Sequence, residues 1–195
     1  MKQLLSALSK ISQTSINSNL VKNVLDKIDF TCLDYKNYLE GYDLKKYNKI
    51  IVKEKPLQIF IVTWPAQVSL PIHQHNKYWG YIGVLEGVVS ESLYAFDDKK
   101  KLLSIHPSRT INKGEIIFEP LNIIHQISNP SPLDVSVSIH FYHPSDYDYD
   151  GTLLFDVETK KLAELNKDAP YVSWNHPKKY YKRMEDNAFE VVKLW

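Results

Sequence analysis

A chain of 195 residues, with 44% apolar and 24% charged side chains, has the size and balance of one globular domain. Roughly 70% of the unfolded surface can be buried at this length, so no covalent staples are needed, and the single cysteine, Cys32, rules out an intrachain disulfide and suits a reducing cytoplasm. The formal net charge of +1 gives no electrostatic case for nucleic acid or an anionic membrane surface, and no run approaches the ~20 apolar residues that span a bilayer.

Residues 1 to about 45 read as a helical segment. The apolar run of Met1 to Lys10 is interrupted too early for a secretory signal, so a cytoplasmic protein is expected. Leu4, Leu5, Leu8 and Ile11 recur at helical spacing, as do Val21, Val24, Leu25 and Ile28, with Asn17 or Ser18 as N-cap of the second helix. Tyr35 to Tyr42 suggests a third short helix ending near Gly41. Cys32, in this lead-in, reads as a small buried hydrophobe rather than a nucleophile.

From about Lys49 the apolar period changes to two. Gln58–Trp64, Tyr81–Leu85, Val88–Phe96, Glu115–Phe118 and Val135–Tyr142 read as strands. Turn signals separate them at Glu86-Gly87, Asp97 to Lys100, Asn112 to Gly114 and Asn129 to Pro132. Many short strands at this spacing imply a β-barrel or a two-sheet sandwich over residues 46–165. Residues 166–195 are a polar, aromatic extension of the same domain, with no structure assigned. The mixed run Lys178 to Arg183 is too short to indicate nucleic-acid binding.

His73-Gln74-His75 carries the chemistry. Alternate side chains of a strand share a face, so the two imidazoles project together. His125 closes a later apolar stretch and supplies a third. Three neutral nitrogens make a half-shell for a transition metal and leave positions open for substrate and oxygen, unlike a closed structural zinc site. Ser138, His140 and Tyr142 alternate along one strand opposite Val137, Ile139 and Phe141, which suits a barrel with a polar interior. His106, His143 and His176 follow no such pattern and read as surface or loop residues.

The segment Gly114…Pro120-x-Asn122-x-x-His125-x-x-x-Asn129 resembles the second cupin motif, and His73-x-His75 with Gly87 resembles the first. Many cupins add a glutamate ligand, but the matching position here is Gly80, which leaves three histidines. Three-histidine cupins of this kind include the thiol dioxygenases, cysteine dioxygenase and 3-mercaptopropionate dioxygenase, which carry a Ser-x-His-x-Tyr motif after the third metal histidine. Ser138-Ile139-His140-Phe141-Tyr142 is similar to it, and Trp64 stands where that family has a tryptophan. Tyr78 to Gly87 looks most like the 3-mercaptopropionate branch. The resemblance covers roughly residues 45 to 160.

It implies an all-β cupin, a double-stranded β-helix or jelly-roll barrel, with N-terminal helices packed on it. The implied cofactor is Fe(II), held by His73, His75 and His125. The implied activity is oxidation of a small carboxylated thiol to its sulfinic acid with O2, on a monomer. Tyr142 is the implied phenol at the reacting centre, oriented by His140 and Ser138 in turn. Tyr47-Asn48-Lys49 resembles the family's Tyr-x-Arg, whose arginine grips the substrate carboxylate; Lys49 keeps the charge but loses the bidentate fork, and Tyr47 lines the pocket. Trp64 and Trp79 are expected to pack the barrel wall. Mammalian members carry, where Gly80 stands, a cysteine cross-linked to the active-site tyrosine, and Gly80 forbids that link. A non-catalytic ligand-binding cupin and a cupin enzyme acting on a non-thiol substrate are the competing readings.

Overall fold

Two facing β-sheets dominate the computed structural model, which describes residues 1–194; Trp195 lies outside the described residues. The chain opens with helices α1 (Lys2–Ser9) and α2 (Ser18–Leu25). Asn17 caps α2, its side chain accepting from the Leu20 amide at 3.0 Å, a contact that stabilises a helix by about 1 kcal/mol. The expected third helix is reduced to a single 3-10 turn, Lys36–Leu39, because Glu40 is extended and Gly41 turns to φ +82°. Cys32 is exposed rather than buried, because Phe30 takes the inward position of its own short turn.

Fourteen strands follow. They are β1 (Asn48–Lys53), β2 (Gln58–Trp64), β3 (Ile72–Gln74), β4 (Trp79–Glu86), β5 (Val88–Asp97), β6 (Leu102–Ile105) and β7 (Arg109–Asn112). Then come β8 (Ile116–Glu119), β9 (Ile124–Ser128), β10 (Ser136–His143), β11 (Leu153–Asp156), β12 (Lys161–Leu165), β13 (Tyr181–Glu185) and β14 (Glu190–Lys193). The first sheet has the order β1-β2-β10-β4-β8. The second runs β13-β12-β11-β3-β9-β5-β6-β14, with β7 alongside β5. This is the expected cupin barrel preceded by helices.

The period of two explains why the layers form. Val137, Ile139 and Phe141 of β10 face away from the barrel and join Ile59, Ile61 and Leu85 under Leu4, Leu8, Val21 and Leu25 of the helices. Ser138, His140 and Tyr142 face the interior, which Phe60, Val62, Trp64, Ile82 and Val84 share with Val89, Ile111 and Ile127 of the other sheet. A third cluster, including Ile72, Leu103, Phe155 and Phe189, covers the far face of the second sheet. The tail contributes β13 and β14. The latter pairs in parallel with β6, Glu190 opposite Leu102. No helix among the described residues is long and apolar enough to cross a membrane.

Candidate metal centre

Strand β3 places His73 directly opposite His125 on β9. His75 follows at the end of β3, its amide bonded to the Ile123 carbonyl at 2.9 Å, while Asn122 turns at φ +67° and donates back to the His75 carbonyl. A two-residue offset on β3 and one cross-strand pair therefore bring three rings together. All three are buried, and their centroids lie 4.5 to 5.1 Å apart.

The three Nε2 atoms converge, with His75 Nε2 3.2 Å from His73 Nε2 and 3.0 Å from His125 Nε2. The back nitrogens decide what these atoms carry. His73 Nδ1 lies 2.9 Å from the Pro71 carbonyl, which can only accept, so that nitrogen holds the proton and Nε2 is bare. His125 Nδ1 lies 2.9 Å from Glu91 Oε1 and donates to it, and despite desolvation the charges of Glu119 and Glu91 raise its pKa above the ordinary value, so its Nε2 is bare in the neutral form that binds a metal. Imidazole nitrogens converging this closely form a cluster that a cation can fill. Separations of 3.0 and 3.2 Å fit neighbouring positions around a metal with bonds of about 2.0–2.1 Å to imidazole nitrogen. Burial holds His73 neutral, its pKa drawn down to about 3, and pushes His75 well down as well. Neutral imidazole is the ligating form.

A polar column runs up the facing strand β10. Trp64 Nε1 donates to Ser138 Oγ at 2.8 Å, Ser138 Oγ lies 2.8 Å from His140 Nε2, and His140 Nδ1 lies 3.1 Å from the Tyr142 hydroxyl. The indole can only donate, so the serine proton goes to His140 Nε2. Desolvation keeps His140 neutral, its pKa far below the usual range. Its one proton then sits on Nδ1 and donates to the phenol oxygen, leaving the Tyr142 O–H free to donate in turn. Burial pushes the Tyr142 pKa well up, so the group stays protonated.

The histidine cluster, through His73, and the polar column, through His140 and Tyr142, border a cavity of about 870 Å³ whose wall also includes Phe60, Tyr47 and Lys49. Lys49 on β1 pairs with Val62, which places it across β2 from the polar column. Its ammonium sits 4.2 Å over the Phe60 ring, which stacks on His140 at 4.8 Å. Tyr147 Oη and Gln58 Oε1 are 3.4 and 3.5 Å away. The side chain opens to the cavity, yet this crowding of protein atoms lowers its pKa from 10.5 to about 8. Tyr47 packs edge-on against Trp64, ring centroids 5.3 Å apart.

Five of the eight sequence-selected residues, Tyr47, Lys49, His73, His140 and Tyr142, line this cavity, while Ser138 contacts His140 and His75 and His125 contact His73 behind them. Several neighbours escaped the sequence reading. Trp64, expected only to pack, also anchors the column on β10. Glu91 on β5 and Glu119 on β8 are fully buried beside His125, at 2.9 and 3.1 Å from Nδ1. Despite desolvation, the bond to His125 and the charge of Arg109 hold Glu91 below the usual carboxylate range. Burial raises Glu119 to about 7. A glutamate inside the apolar run Ile116-Ile117-Phe118-Glu119 was the available signal for the second. His143, expected in a loop or at the surface, ends β10 half-buried against Trp79, ring centroids 5.3 Å apart. His106 and His176 do lie in loops.

Gly80 lies against Tyr142: a Cβ there would run into the phenol ring at Cδ1 and, at 2.5 Å, at Cε1. A two-sheet barrel that buries three converging imidazoles opposite a serine–histidine–tyrosine column defines a three-histidine cupin. Its family follows from comparison with known proteins. The chain belongs to the cysteine dioxygenase type I family, whose model matches residues 1–152, helices included. It is 24% identical over 151 residues to cysteine dioxygenase type 1 of Danio rerio, covering 74% of each chain. It is 26% identical over 149 residues to the Bos taurus protein of that name, covering 74% of this chain and 72% of that one. Among solved structures, an uncharacterized conserved protein with a double-stranded beta-helix domain from Klebsiella pneumoniae shares 12% identity. It covers 63% of this chain and 88% of its own at a TM-score of 0.48.

Proposed function

We propose that this protein is an Fe(II)-dependent thiol dioxygenase. It oxidises a small carboxylated thiol, cysteine or a mercapto acid such as 3-mercaptopropionate, to the sulfinic acid. The reaction balances as R–SH + O2 → R–SO2H: sulfur gives up four electrons, O2 takes them, and both oxygen atoms end on sulfur. Bound at His73, His75 and His125, Fe(II) supplies a Lewis acid for the thiolate and the redox chemistry that activates dioxygen.

The remaining work falls to the chain. The observation that carries this reading is one cavity bordered by His73 of the three-histidine group, the Tyr142 phenol and the Lys49 ammonium. Lys49 pairs with the substrate carboxylate and fixes which end of the molecule faces the histidines. Tyr142 donates a hydrogen bond to the reacting end, oriented by His140, Ser138 and Trp64. Tyr47, Phe60, Tyr78 and Tyr147 exclude water and limit the reach of the substrate. Holding the reactants in one small, oriented volume supplies proximity that solution lacks.

The test is oxygen uptake by protein loaded anaerobically with Fe(II), comparing cysteine, 3-mercaptopropionate, mercaptosuccinate and cysteamine, with sulfinate measured alongside. Uptake matched one-to-one by sulfinate is expected, with carboxylated thiols preferred over cysteamine. Iron-loaded protein that consumes no oxygen with any of the four would overturn the proposal.

A further inference from the structure

The three imidazoles differ in how their orientation is secured. His73 gives its Nδ1 proton to the Pro71 carbonyl, and His125 gives its own to Glu91. Nδ1 of His75 is fully buried and has no hydrogen-bond partner. Both oxygens of Glu119 are likewise buried without a hydrogen bond, and Oε2 lies 3.8 Å from that nitrogen. Two unsatisfied buried groups of complementary chemistry thus face each other across less than one ångström beyond bonding distance. Leaving both unpaired is costly, and native interiors rarely tolerate it.

The register explains how Glu119 arrives there. Gly80 on β4 pairs directly with Glu119 on β8. With no side chain at position 80, the carboxylate enters from the neighbouring strand, on the Nδ1 side of the rings and away from the converging Nε2 atoms. That side makes it an orienting group rather than a ligand. Glu119 also faces His125 Nδ1 at 3.1 Å and the Tyr142 hydroxyl, but Glu91 already serves His125, so His75 is the one histidine of the three without an acceptor of its own and Glu119 is the carboxyl beside it.

We propose that Glu119 is the positioning residue for His75: its carboxyl oxygen accepts the Nδ1 proton, fixing the tautomer that presents Nε2 to the metal. Each of the three histidines then has its own acceptor, from Pro71, Glu91 and Glu119. This rests on the reading of His73, His75 and His125 as a metal site.

The experiment uses the full chain loaded with Zn(II) and, separately, with Fe(II) under anaerobic conditions. Metal affinity is read by chelator competition, and the imidazole N–H protons of the zinc form by NMR. E119L removes the acceptor; E119Q keeps one in its amide oxygen. Wild type is expected to show three protected Nδ1–H signals. E119L loses one of them and binds either metal about 10- to 100-fold more weakly. E119Q keeps the third signal and stays within about threefold of wild-type affinity on the same scale. Three signals and wild-type affinity in E119L would overturn the proposal, and so would an E119Q that loses the signal, which remains decisive if E119L does not fold. A wild-type protein that binds neither metal would instead overturn the metal-site reading itself.

Discussion

Tyr142 and Lys49 carry the proposed chemistry at the scale of single residues, and each can be removed without touching a ligand. Tyr142→Phe deletes one hydroxyl from a ring held by Phe60, Tyr78 and His75. The expected result is full iron content with turnover reduced about 10- to 100-fold, the usual cost of losing a group that orients a metal centre; unchanged kinetics would remove the phenol from the mechanism. Lys49 has a folded pKa near 8, below its ordinary 10.5. Between those values the unfolded chain binds more protons than the folded one, so this group lets stability rise with pH across that window. Carboxylate binding has the opposite sign, since it needs the ammonium. The ratio of KM for 3-mercaptopropionate to KM for cysteamine should therefore climb above pH 8 in the wild type and stay flat in Lys49→Ala. The alternation of Ser138, His140 and Tyr142 was legible in the sequence because a strand writes its faces at every second residue. Glu119 was not, because its place opposite Gly80 depends on which strands pair and in what register.

At the scale of elements, β10 decides the architecture by burying both faces, one row under the N-terminal helices and one in the barrel. Leu8 of α1 is fully buried in the cluster that includes Ile139 and Phe141. Leu8→Ala should lower stability by about 2–5 kcal/mol, measured by urea unfolding. A loss under 1 kcal/mol would mean the helices sit loosely on the sheet. Apolar alternation announced β2, β4, β5 and β10 in advance, and a short apolar run after Gly114 announced β8, all to within two residues. The four-residue β6, β7, β11 and β14 offered too few alternations to read. The third helix failed for the converse reason: its apolar residues had the spacing, but Glu40 and Gly41 broke the backbone after one turn.

For the whole molecule, both ends of the described chain brace the barrel, on different sheets. The helices cover the outer face of β2, β4 and β10, while β14 pairs with β6 from nearly ninety residues further along. The fold class was readable from two histidine motifs and the strand rhythm, yet this closure was not, since residues 166–194 show no period of their own. That parallel pairing has a consequence for how the protein is made. As the chain leaves the ribosome, β6 emerges early and presents an open edge of backbone donors and acceptors. Its partner appears only after the long stretch of chain between them. The histidine-bearing strands β3 and β9 belong to that same sheet, so the second sheet keeps that edge exposed until β14 has emerged to cover it.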